Sequence, residues 1–128
     1  MTLMVPFKAP EVLRAGVSGA PTTDWALYDK RYIERCLDSP QDNAAGYKAC
    51  SVLPCEQDLC SKLPIMHGMV DDNVPFLPST NLFCRLQAIA KPFEIMLYPG
   101  EGPGLIRQHN GRRAFATILN LFNQTFGL

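Results

Sequence analysis

A carboxylate-rich turn in the middle of the chain is the segment best suited to chemistry. Asp71, Asp72 and Asn73 follow residues 63–68, a short apolar run that is typical of a buried strand. A second predicted strand, the alternating residues 93–98, ends in the Gly- and Pro-rich loop 99–104. Because ligands of open α/β sheets bind beyond the carboxyl ends of the strands, we expect both segments at one rim, together with residues 22–25 after a strand at 15–20. An aspartate after one strand and a loop after the next fit the Asp-then-His order of a hydrolase triad.

The same residues also have purely structural interpretations. A run of Asp and Asn in isolation is more often a solvated turn than part of a catalytic site. His67, which precedes a glycine at the end of the first apolar run, is more often a hydrogen-bonded structural histidine than a base. The spacing alone leaves these alternatives open.

Three aromatic residues form a second candidate group. Trp25, Tyr28 and Tyr32 are spaced i, i+3, i+7 in residues 25–37, for which Asp24 is a suitable helix cap. The spacing predicts one aromatic helix face, which could line a pocket or pack in the core.

Composition excludes several classes of function. Lys and Arg total 12 and Asp and Glu total 12, so no basic surplus favours nucleic acid or an anionic membrane. Neither the cysteines nor the histidines have zinc-site spacing, so we expect reduced thiols, no metal and no cofactor. The five cysteines are Cys36, Cys50, Cys55, Cys60 and Cys84.

The start of the chain shows no signal peptide, and no run reaches the length of a membrane span. If the sequence is complete as given, we expect a cytoplasmic protein. If Met1 is internal to a longer precursor, we expect a periplasmic or membrane-attached protein instead.

The elements predicted around these residues alternate between strand and helix. Strands are predicted at residues 15–20, 63–68 and 93–98. Helices are predicted at 2–13 (interrupted by Pro6 and Pro10), 25–37, 47–53, from the cap Ser79 onward, and at 112–126. This order is typical of an α/β domain with a parallel sheet. Three strands leave one edge of the sheet open beside residues 15–20.

Two motifs in register resemble the prolyl oligopeptidase family of serine peptidases, close to its dipeptidyl peptidase IV-like members. His67-Gly-Met-Val-Asp-Asp-Asn-Val74 is similar to their His-Gly-x-x-Asp-Asp-Asn-Val segment. Residues 20–35 are similar to their Ala-Pro-x-x-x-Trp-x-x-Tyr-Asp-x-x-Tyr-x-Glu-Arg segment. The resemblance covers nearly the whole chain and implies the C-terminal half of an α/β-hydrolase fold, with residues 1–128 forming one partial catalytic domain.

The resemblance also implies a role for each matching residue. Asp71 matches the triad aspartate, which orients a histidine. Asn73 matches a residue that binds the substrate backbone. The remaining matches form the apolar pocket for the proline or alanine of a peptide substrate: Trp25, Tyr28, Tyr32 and Val74.

Two departures from the family pattern bear on activity. No Gly-x-Ser-x-Gly nucleophile motif occurs in the 128 residues. The family's Tyr-Pro-Gly-x-x-His-Gly-Leu aligns with residues 98–105, which places Pro103 at the triad histidine position. His109 lies six residues further on and would need a rerouted loop to reach Asp71.

We therefore expect a C-terminal fragment of a serine-type dipeptidyl peptidase that is inactive alone. The alternative is a non-catalytic peptide-binding or complementation module, which pairs with a separate N-terminal piece or self-associates through its open sheet edge.

Overall fold

A short parallel sheet lies at the centre of the fold. The structure is a computed structural model that describes residues 3–9, 11–58, 62–105 and 107–128. The strands are β1 (Ser18–Gly19), β2 (Ile65–Gly68) and β3 (Ile95–Tyr98), and their order in the sheet is β1-β2-β3. Both pairs are parallel, with Ser18 opposite Ile65 and Gly68 opposite Tyr98. The predicted α/β domain with three parallel strands is confirmed.

Helices cover both faces of this sheet, as the alternation of side chains along a buried strand requires. Ile65 belongs to the larger core cluster, together with Phe7 of the first helix and Leu82 of the fourth. The next residue, Met66, packs on the opposite face with Tyr98 and Ala114 of the last helix. Strand β2 therefore lies between two apolar layers, and Tyr98 at the end of β3 joins the second of them.

Five α-helices and two 3₁₀ helices occur in the described ranges. The α-helices are α1 (Met4–Lys8), α2 (Lys30–Leu37), α3 (Ala44–Cys50), α4 (Leu77–Ala88) and α5 (Gln108–Phe126). The 3₁₀ helices are Trp25–Leu27 and Leu53–Asp58. None of these helices is long and apolar enough to cross a membrane.

The prediction of one helix over residues 25–37 is wrong, because two aspartates each cap a separate helix. Asp24 accepts a hydrogen bond from the backbone of Ala26 and begins the short 3₁₀ helix. Asp29 accepts from the backbone N–H of Tyr32 and begins α2. Tyr28 between them is extended, with φ −92° and ψ 179°. The cap at Asp29 thus replaces the helical turn that the aromatic spacing predicted.

Other predicted boundaries shift by a few residues. The cap at Ser79 is wrong, since α4 begins at Leu77 and the Ser79 hydroxyl instead contacts His67. Asn43 caps α3, so this helix begins at Ala44 rather than residue 47, and it ends at Cys50 rather than residue 53. The last helix begins at Gln108 rather than residue 112.

The edge strand β1 pairs with β2 alone among the described residues, as the predicted open edge requires. The described cysteines are free thiols: Cys36, Cys50, Cys55 and Cys84. Residue 2 of the predicted first helix, Pro10 and Cys60 lie outside the described residues.

Candidate active site

The Asp71 carboxylate is fixed by the turn that follows β2. Its Oδ1 atom accepts hydrogen bonds from the backbone N–H groups of Asn73 at 3.0 Å and Val74 at 2.8 Å. The side chain is 1% exposed, and Oδ2 lies 3.8 Å from Nε2 of His67. This separation exceeds a hydrogen bond, so Oδ2 keeps its capacity to accept one from another donor. The turn therefore orients one oxygen and spares the other.

His67 is a structural residue beneath this turn. Its Nε2 lies 2.9 Å from the carbonyl oxygen of Val74, which can only accept, so Nε2 carries the proton. Nδ1 then accepts from the hydroxyl of Ser79 at 2.8 Å. The ring also meets Phe76 edge-on, with 5.3 Å between centroids. With both nitrogens engaged and the ring buried, His67 holds the turn to α4 and does not act as a free base.

The predicted binding residues meet beside the same turn. The hydroxyl of Tyr28 donates to Oδ1 of Asn73 at 3.5 Å. The Tyr28 ring packs edge-on against Trp25 at 5.6 Å and Tyr32 at 6.1 Å. These contacts bring Asn73 and all three aromatic residues into one row, whose outer member, Tyr32, is 59% exposed. Val74 joins through its backbone, which donates to Asp71 and accepts from His67.

Thr23 fastens the aromatic row to the rest of the fold. Its hydroxyl donates to the carbonyl of Pro78 in α4 at 2.7 Å, and its own carbonyl accepts from the Ser51 hydroxyl at 3.1 Å. Thr23 is completely buried. The sequence analysis did not identify Thr23, because its partners lie far away along the chain.

Glu101 is a second residue that the sequence analysis missed. It is 2% exposed in the loop after β3 and accepts a hydrogen bond from Nδ2 of Asn110 at 2.5 Å. That hydrogen bond holds the pKa of Glu101 below its ordinary value, although burial acts in the opposite direction. A lone acid between Gly100 and Gly102 was the available sequence signal.

Pro103 and His109 do not complete a triad in this structure. Pro103 is exposed in a turn between Gly102 and Gly104, which line the same cavity as Asp71. His109 lies in the first turn of α5 and lines a different cavity, with Arg107 and Arg113. The rerouted loop that would bring His109 to Asp71 is therefore not observed.

The cavity beside Asp71 has a volume of about 480 Å³. It lies between the carboxyl end of β2, the loop after β3, and α5. The first two contribute His67, Asp71 and Leu105, and α5 contributes Phe115 and Ile118. In the described part of the chain, no group of three or more His, Cys, Asp or Glu side chains is arranged to hold a metal ion.

Comparison with known proteins decides the family. A model described as the prolyl oligopeptidase family matches residues 1–128. The chain belongs to the prolyl oligopeptidase family. Human dipeptidyl peptidase 8 is 28% identical over 130 residues, which cover 99% of this chain and 14% of the relative. A protein named "Probable dipeptidyl-aminopeptidase B" from Metarhizium robertsii is 38% identical over 114 residues, covering 88% of this chain and 12% of the relative.

A solved structure supports the same family at the level of the fold. A dipeptidyl aminopeptidase IV-like protein from Bacteroides ovatus superimposes with a TM-score of 0.91 at 26% identity. The match covers 98% of this chain and 18% of that protein. The predictions of a prolyl oligopeptidase family member and an α/β-hydrolase fold are confirmed. The chain spans a small part, 12% and 14%, of the two curated relatives above.

Proposed function

We propose that this chain carries the aspartate and the substrate-holding side of a serine-type dipeptidyl peptidase site. The family reaction would be release of N-terminal X-Pro or X-Ala dipeptides. The observation that carries the proposal is the contact between Tyr28 and Asn73 beside the anchored carboxylate of Asp71. It joins the two motifs on which the family resemblance rests, which are more than 40 residues apart in the sequence.

In this proposal Asp71 orients an imidazole and stabilises its protonated form. Two backbone N–H groups hold Oδ1, so Oδ2 would accept from the imidazole. Asn73 would donate to a substrate carbonyl through its amide, while Tyr28 holds the amide oxygen. The flat faces of Trp25 and Tyr28 suit a pyrrolidine ring.

The 128 residues, taken alone, would not cleave peptides. They contain no Gly-x-Ser-x-Gly motif, and Pro103 stands at the position of the proton-accepting histidine. In subtilisin, removing either the serine or the histidine of the triad lowers turnover by about a millionfold. The binding side of the site would remain while the chemical step is lost.

Restoring a histidine tests whether Asp71 faces this position. In Pro103→His, the carboxylate of Asp71 should raise the pKa of the introduced imidazole above the ordinary value of about 6.5. Adding Asp71→Asn should lower that pKa by about one unit, as expected for a neighbouring charge. Asp72→Asn is the matched control, because Asp72 is exposed beside it. An imidazole whose titration, followed by NMR, responds equally to both substitutions would contradict the proposal.

A second candidate function is peptide binding without catalysis, with or without a separately made N-terminal piece. It is favoured by the intact aromatic row beside Asn73, in a chain with Pro103 at the histidine position. Trp25 is the only tryptophan of the chain, so its fluorescence reports directly on this row.

Titration with an Ala-Pro dipeptide tests this second function. We expect a saturable change in Trp25 fluorescence, with an affinity that falls about fivefold in Asn73→Ala, since a lost hydrogen bond to the peptide is worth about 1 kcal/mol. Asn120→Ala, an exposed position on α5, is the control. Equal affinities of the two variants would exclude Asn73 from binding.

A further inference from the structure

Glu101 is an unusual residue for a surface loop. Its side chain carries a charge, yet only 2% of the residue is exposed. Buried carboxylates persist in proteins when hydrogen bonds compensate for the lost water. The partners of this carboxylate therefore indicate what the fold gains from it.

The side chain of Glu101 is tied to the beginning of α5. Oε1 accepts from Nδ2 of Asn110 at 2.5 Å, and Oε2 accepts from the backbone N–H of Arg107 at 3.4 Å. Nε of Arg107 lies 3.7 Å from Oε1. Because α5 packs on the sheet through Ala114, these contacts attach Glu101 to a helix that is itself anchored in the core.

The backbone of Glu101 is tied to the opposite side, the turn that bears Asp71. Its carbonyl oxygen accepts from the N–H of Val70 at 3.0 Å, and its own N–H donates to the carbonyl of Tyr98 at 3.2 Å. The same carbonyl lies against Gly68, where a Cβ atom would approach it to 2.5 Å. Residue 101 thus bridges the ends of β2 and β3 through its main chain while its side chain holds α5.

We propose that Glu101 is a positioning residue, which sets the spacing between the Asp71 turn and the loop 102–105. Asp71 and three residues of that loop, Gly102, Gly104 and Leu105, line one cavity. The proposal rests on the proposed function, in which this loop bears the position of the proton acceptor. Glu101 acts there through the geometry of its neighbours and does not touch substrate.

Amide hydrogen exchange of the 128-residue chain, followed by NMR, tests this role. In Glu101→Gln, exchange at the Val70 amide should accelerate by about tenfold. The substitution removes the charge that holds the side chain of residue 101 to α5, and the carbonyl of the same residue accepts the hydrogen bond of that amide. Glu94→Gln is the matched control, since Glu94 is exposed at the approach to β3. If only the amides of Asn110 and Gly111 accelerate while Val70 exchanges as in the control, Glu101 merely caps α5 and the proposal is overturned.

A second variant decides the matter if Glu101→Gln does not fold. Asn110→Ala leaves Glu101 in place and removes the side-chain donor to its carboxylate, at a helix position where alanine is favourable. Acceleration at Val70 supports the proposal, and an unchanged rate at Val70 overturns it. The imidazole titration in Pro103→His reports separately on the proposed function, since it depends on Asp71. Indifference to Asp71→Asn would refute the proposed site, while exchange at Val70 would still decide what Glu101 does.

Discussion

Asp71 and Glu101 are carboxylates that the fold keeps almost out of contact with solvent. Asp71 is held by two backbone N–H groups of its own turn, and Glu101 by Asn110 and Arg107 of a distant helix. The difference matters for prediction from sequence, because a local turn is visible in a motif whereas a distant anchor is not. At the level of residues, the site consists of one acid that faces the cavity and one that supports the loop beside it.

Stability at acid pH should report on Glu101. Its folded-state pKa is lowered from 4.5, so its contribution is present above the ordinary value and is lost as the pH falls through the lowered folded value. We expect Glu101→Gln to reduce the loss of stability on acidification, measured by urea denaturation at a series of pH values. Glu94→Gln, the exposed control, should follow the unmodified chain. Identical acid dependence in Glu101→Gln and the unmodified chain would contradict this.

Tyr98 is a position where we expect a substitution to stabilise the protein. Its hydroxyl is buried and has no hydrogen-bond partner in the described part of the chain, and burial raises its pKa. Tyr98→Phe removes an unsatisfied polar group and keeps the packing, so the free energy of unfolding should rise by about 1 kcal/mol. Urea denaturation of both proteins at neutral pH measures this difference in the free energy of unfolding. A clear decrease would mean that the hydroxyl has a partner that stabilises the fold.

The residues that could be predicted from the sequence are those with local or motif-borne signals. The sequence placed the segments that carry Asn73 and the aromatic residues at one rim of the sheet, and Tyr28 does contact Asn73. The binding roles of these residues stay predictions. Thr23 and Glu101 were missed. Thr23 bonds to Pro78, which is 55 positions away, and no spacing rule reaches that far.

At the scale of elements, the end of β2 packs directly on the loop after β3. A Cβ atom at Gly68 would lie 2.5 Å from the carbonyl oxygen of Glu101 and 2.7 Å from that of Gly102. Both contacts are with backbone, which cannot rotate away as a side chain can. Only glycine at the end of β2 allows the Asp71 turn and the loop 102–105 to line one cavity.

Gly68→Ala should therefore destabilise the protein strongly. We expect a loss of about 2 kcal/mol or more in the free energy of unfolding, the range for overpacking against a rigid neighbour. Gly19→Ala in β1 is the matched control, because a Cβ atom there meets nothing within 4 Å. Thermal or urea unfolding of both variants compares them. Equal stabilities would mean that the two loops separate easily.

Element types were predictable and several boundaries were not. All three strands were predicted: β2 is buried along its whole length and has the strong apolar signal of a covered parallel strand. The partly exposed β3 was found from the alternation of residues 93–98. The helix predicted over residues 25–37 failed because Asp29 offers the chain a cap in competition with helix propagation. Such competition depends on one side chain, so periodicity over a dozen residues does not detect it.

At the scale of the whole molecule, two surfaces lack a partner. Apolar side chains on α5 are exposed to solvent. In the described residues, β1 pairs with β2 on one side and with no strand on the other. Phe115 is 75% exposed and Leu119 is 60% exposed, one helical turn apart on the same face. Exposed apolar patches and unpaired strand edges both favour association. Contact with another polypeptide would bury these surfaces.

The chain alone should therefore self-associate in a concentration-dependent manner, as measured by sedimentation velocity. Phe115→Lys should reduce the association, because it places a charge in the centre of the apolar face. Ala116→Lys, at the adjacent exposed position, is the control and should have little effect. A monodisperse monomer at all concentrations would contradict the expectation.

The central claim is that this chain holds substrate and an orienting carboxylate but cannot perform the chemical step alone. Its most direct test is incubation of the purified 128-residue chain with an Ala-Pro chromogenic substrate. We predict no release of the chromophore above the buffer rate. Release that disappears in Asp71→Ala would show that the chain is a complete peptidase and would contradict the account.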